Sequence, residues 1–94
     1  MSAPQDGAPQ LALLQFPTDY PIKVVGRASE TLRAQIDAIF SAHVPDLDRS
    51  LTTERFSGNG NFQSLSYSIR AVSAAQVTAL ATELKACPAV LMVI

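Results

Sequence analysis

The hydrophobic positions of this chain change their period several times, and each change marks an element. In the stretch IKVVG, Ile22 and Val24 alternate with Lys23 and Val25, which predicts a strand over 22–26 with two faces. Pro17 and Pro21 are expected to break any regular element that begins before it. Beyond Gly26 the spacing lengthens. Leu32, Ile36, Ile39 and Phe40 fall on one side of a helix, with Ser29 as its N-cap and Glu30 favourable in its first turn. Pro45 disfavours helical dihedrals at Val44, so this helix ends near His43. A second helix is marked by Ser73 and Gln76 as an S-x-x-Q capping box, by the stripe Val77, Leu80, Ala81 and Leu84, and by Pro88 as its stop. The closing VLMVI is too short for a helix and rich in branched residues, which predicts a buried final strand.

Between the helices the period returns to two, in Leu65, Tyr67, Ile69 and Ala71 and more loosely in Leu47 and Leu51. This predicts a long strand pair turning at Gly58-Asn59-Gly60. If both leucines share a buried face with Leu65 and Tyr67, paired residue numbers must sum to an even number. A three-residue loop then sets Phe56 against Phe62, Thr52 against Ser66 and Asp48 against Arg70. Arg49 and Arg55 would fall on the inner face, where an edge strand lets their heads reach water. A two-residue turn at Asn59-Gly60 gives the odd sum instead, with Leu51 opposite Ser68.

The element order is strand, helix, strand, strand, helix, strand. That is the βαββαβ plan of an α+β, ferredoxin-like sandwich: a four-stranded antiparallel sheet of order 4-1-3-2, both helices on one face and the other face open. Residues 1–15, rich in Pro, Gly, Ala and Gln, are expected to form a mobile tail before a single domain over 16–94. The formal net charge of -1 gives no general attraction to nucleic acid or to an anionic membrane. No apolar run approaches the ~20 residues of a membrane span. The lone Cys87 and the absence of a signal-like start point to a cytoplasmic setting.

Taken together, FPTDYPIKVVG, HVP, GNFQSLSYSIRA and the terminal VLMVI resemble the YbeD-like family of small bacterial proteins, also called DUF493 or UPF0250. The likeness runs from about Phe16 to Ile94. It implies a ferredoxin-like fold close to the regulatory ACT domains, which bind small metabolites, usually between subunits. The family's motifs are structural, so no catalytic residue carries over.

The residues themselves offer little chemistry. No catalytic, metal or cofactor site is expected. The GRAS loop, with Arg27 and Ser29 at a helix start, suggests a possible anion contact of the acylphosphatase kind, the basis of an alternative reading as a small enzyme. SGNG lacks the Lys and the spacing of a P-loop. His43 and Cys87 are single residues without partners in the sequence, suited to a capping or surface role and to a small half-buried space. An RNA-binding reading has one sheet aromatic, Phe62, and no basic patch. The favoured expectation is a regulatory or binding module that engages a protein partner or small metabolite, with homo-oligomers possible through the open face or an edge strand. Val25, Phe62, Ser64, Ser66, Ser68 and Arg70 are its candidate contact surface.

Overall fold

A computed structural model describes residues 14–94; residues 1–13, most of the expected tail, lie outside it. The strands are β1 (Thr18–Arg27), β2 (Thr53–Ser57), β3 (Phe62–Ala71) and β4 (Val90–Val93), and the helices are α1 (Leu32–His43) and α2 (Ala74–Ala86). The strands form one antiparallel sheet in the order β2-β3-β1-β4, which is the predicted 4-1-3-2 read from its other edge. Leu32, Ile36 and Phe40 of α1 and Val77, Leu80 and Leu84 of α2 are buried against Ile22, Val24, Leu65, Tyr67 and Ile69 of the sheet. Both helices therefore cover one face. Phe40 and Tyr67 stack at 3.7 Å across this core.

The caps follow from local chemistry. Ser73 is the N-cap of α2, its Oγ accepting the Gln76 N–H at 3.1 Å, whereas the N-cap of α1 is Thr31, which makes no side-chain cap bond, and the expected cap Ser29 lies two residues earlier and accepts the Leu32 N–H at 3.0 Å. The reciprocal bond of the capping box is displaced by one residue: the Gln76 side chain accepts from the Val72 N–H and donates to the His43 carbonyl, tying the start of α2 to the end of α1.

Three expectations are corrected. The final strand is not buried, because as an edge strand it leaves Leu91, Met92 and Ile94 exposed. The other two concern β1 and the hairpin. First, β1 begins at Thr18 and continues through Pro21, which pairs with Ser68. Lys23 exchanges both backbone hydrogen bonds with Ile94 on the β4 side. Alternate residues address the same neighbour, so the ring nitrogen of Pro21 also points that way, beyond the end of β4. A missing N–H costs nothing where no acceptor waits.

Second, the hairpin register is odd. Ser57 pairs with Phe62, Glu54 with Leu65 and Thr53 with Ser66. Gly58, Asn59 and Gly60 all have positive φ (59°, 57° and 84°), and the Gly60 and Asn61 N–H groups donate to the carbonyls of Ser57 and Gly58. Two successive turns thus make a loop of residues 58–61. The even sum rested on Leu47 and Leu51 being strand residues. Leu51 lies in a short 3-10 turn, Arg49–Leu51, and is exposed, while Leu47 precedes it; their parity places no demand on the strand. Phe56 faces Gln63 rather than Phe62, and Asp48 and Thr52 lie outside β2. Arg70 pairs with Asp19 at 3.3 Å, not with Asp48.

Candidate binding face

The register decides what each sheet face carries. Directly paired residues project to the same side. Leu65, Tyr67 and Ile69 are buried under the helices, so Phe62, Ser64, Ser66, Ser68 and Arg70 project from the open face. Their partners on β1 are Arg27, Val25, Lys23, Pro21 and Asp19. On β4, Met92 lies opposite Val25 and Ile94 is bonded to Lys23, and both are exposed. All six candidate residues read from the sequence share this face.

The odd register adds a residue that the sequence reading had placed inside. Arg55 pairs with Ser64 and is exposed on the open face, while Glu54 turns inward. The open face therefore carries Lys23, Arg27, Arg55 and Arg70 against one acid, Asp19. The other described residues carry three cations, Arg33, Arg49 and Lys85, against six acids. The near-neutral total conceals this separation. Arg70 is matched by Asp19 and stands by a groove of about 330 Å³ that Asp46, Asp48 and Leu51 also line. Lys23, Arg27 and Arg55 make no ion pair among the described residues.

Ser64 is central to these three. Arg55 is its direct neighbour on β2; Lys23 and Arg27 are diagonal neighbours on β1, each two residues from Val25. Strand spacing and rise put their Cα atoms about 5 Å and about 8 Å from that of Ser64. Their long side chains can reach a common area above Ser64, Ser66 and Phe62.

Arg27 and Ser29 do not converge. Arg27 leaves β1 on the open side, whereas Ser29 Oγ accepts from the start of α1 in the helix layer.

Beneath the sheet, Glu54 joins a polar cluster absent from the sequence reading. Its carboxylate takes an Arg33 hydrogen bond at 2.9 Å and another from the Gln63 side chain. Arg33 also lies 3.6 Å from Asp37, which accepts from the Tyr67 hydroxyl at 2.5 Å. Burial first, and then the bond to Asp37, push the Tyr67 phenol far above its ordinary value. Gln63 is buried, and its amide oxygen has no partner among the described groups. These residues join α1 to the hairpin.

His43 contacts Glu83 at 2.7 Å and links the two helices. Cys87 is half-buried at the C-cap of α2. Among the described residues no three His, Cys, Asp or Glu side chains gather as metal ligands, and no helix is long and apolar enough to cross a membrane.

Known proteins place this arrangement in a family. The family described as "Protein of unknown function (DUF493)" matches residues 12–94. A UPF0250 protein of Hahella chejuensis is 38% identical over 94 residues, covering 100% of both chains. Another, from Ectopseudomonas mendocina, is 40% identical over 82 residues, covering 86% of this chain and 89% of that protein. Among solved structures, protein HP0495 from H. pylori superposes with a TM-score of 0.66 at 11% identity, over 86% of this chain and 85% of the other. The ACT domain from GTP pyrophosphokinase of Chlorobium tepidum does so with a TM-score of 0.59 at 19% identity, over 81% and 84%. At such identities these structures share the fold. The sequence matches go further: the chain belongs to the DUF493 family, the UPF0250 proteins.

Proposed function

We propose that the chain is a non-enzymatic binding module, regulatory in role, whose open sheet face engages a protein partner or a small metabolite. The observation that carries this reading is that face itself. It extends over four strands, neither helix covers it, and Ser64, Ser66 and Ser68 keep its centre low while Phe62, Met92 and Ile94 leave apolar area at its margins. An uncovered face of mixed apolar and polar character is suited to a partner. The likeness to an ACT domain supports the reading by analogy of fold. The enzymatic alternative would need Arg27 and Ser29 to act together, and they lie in different layers.

The test is affinity purification from bacterial lysate with the full chain and with Ser66→Tyr. A tyrosine is well tolerated on a strand and would stand up in the middle of the face. The reading expects a protein or metabolite retained by the native chain and lost with the variant. Retention that survives Ser66→Tyr, or no specific retention by the native chain, overturns it.

A further inference from the structure

The proposed contact face has a definite electrostatic sign, and we infer that its partner is an acidic, amphipathic segment of another protein. This rests on the open-face reading above and specifies the chemistry of the occupant. The sign comes from Lys23, Arg27 and Arg55, which surround Ser64 and make no ion pair among the described residues. Arg70, at the far end, is already matched by Asp19. An arriving surface therefore meets uncompensated positive charge over the Phe62 end of the sheet, and carboxylates there gain both attraction and charge-assisted hydrogen bonds.

The apolar residues decide between partner classes. Val25, Met92 and Ile94 form a patch across β1 and β4, with Met92 and Ile94 52% and 67% exposed. Lys23 and Arg27 alternate with Val25 along β1, and Arg55 stands two strands from Val25. A helix with acids along one stripe and leucine-like residues along the next can cover charge and apolar patch together. Single-stranded nucleic acid would answer the charge, but it gains much of its binding from stacked aromatic side chains, and among the described strand residues the face offers Phe62 alone. A second copy laid face to face would bring Lys23, Arg27 and Arg55 against themselves. The short side chains of Ser64, Ser66 and Val25 offer a small ligand little enclosure.

The inference is tested by titrating the isotope-labelled full chain, followed by its amide shifts, with three probes. These are an 18-residue helical peptide of Glu and Leu at amphipathic spacing, the same peptide with Lys for Glu, and a dodecamer of oligouridylate. The expected result is that the Glu/Leu peptide moves the amides of Lys23, Val25, Arg27, Arg55 and Ser64. Arg55→Glu should weaken that binding at least tenfold, and the Lys/Leu peptide should leave these amides unmoved. If the acidic peptide leaves them unmoved, or binds Arg55→Glu as well as the native chain, the inference is overturned. Oligouridylate moving the same amides in that case keeps the open face as a contact surface with a nucleic-acid partner. If neither probe moves them and Ser66→Tyr also fails to alter lysate retention, the open-face reading falls too.

Discussion

Replacing Glu54 by Ala and, separately, Arg55 by Ala tests the odd register, on which the charge of the open face depends. Glu54 sits under the sheet, its carboxylate held by Arg33 at 2.9 Å and by Gln63. The Arg33 and Glu54 side chains are 38% and 26% exposed, so their ion pair is worth at most about 1 kcal/mol. Gln63 is different. It is 2% exposed and already has an amide oxygen without a partner, so losing Glu54 also deprives its amide nitrogen, at a cost of roughly 1–3 kcal/mol. Glu54→Ala is expected to cost about 2 kcal/mol, a fall in the thermal midpoint of roughly 10 °C for a domain of this size. Arg55 is exposed and unpaired among the described residues, and its replacement should stay within about 0.5 kcal/mol. Urea unfolding of both variants measures the difference. Adding Gln63→Leu to Glu54→Ala should recover about 1 kcal/mol, because it removes both stranded amide atoms. If Arg55→Ala costs as much as Glu54→Ala, the inside and outside of β2 have been exchanged and the reasoning is refuted.

Other consequences can be checked on the same chain. Gly26→Ala would put a Cβ 2.7 Å from the Ala89 carbonyl oxygen and 3.1 Å from Leu32, so it should cost about 1–3 kcal/mol in urea unfolding; a neutral result would contradict the packing of β1 against α1 and β4. Tyr67 has its pKa raised on folding, so its contribution is present in full below the ordinary tyrosine value near ~10 and is lost as pH rises beyond it, when the unfolded phenol ionises. Stability should therefore fall by up to about 1.4 kcal/mol per pH unit above that value, and Tyr67→Phe should lack this part of the alkaline loss. Equal alkaline slopes for both proteins would contradict the buried Tyr67–Asp37 bond.

The fold was largely legible because its signals are local and agree. The hydroxyl cap at Ser73, the helical spacing from Leu32 to Phe40, the prolines after each helix and the odd-numbered apolar run from Leu65 to Ala71 each specify an element, and their order leads to the sandwich. Pro21 was misread because its tolerance depends on where β4 stops, a matter of tertiary arrangement. The hairpin differs because the even register assumes that Leu47 and Leu51 are strand residues, and both lie outside β2. The cost of that assumption was visible in the sequence: the even register buried Arg49 and Arg55 on the inner face. That conflict between local pattern and register was the signal for the alternative. That these six residues share the open face was legible from the parity of β3 and β1 alone. Lys23 and Arg55 were missing because whole-chain charge averages a basic open face with an acidic remainder, and because Arg55 depends on the register across the turn.

The most direct test of the central account compares two charge reversals with the same effect on net charge. Lys23→Glu alters the open face, whereas Lys85→Glu alters the exposed end of α2 in the helix layer. Measured by fluorescence anisotropy of the labelled Glu/Leu peptide at physiological salt, Lys23→Glu should weaken binding at least fivefold and Lys85→Glu should leave it unchanged. Equal weakening by the two would show attraction to the molecule as a whole and contradict a contact surface on the open face.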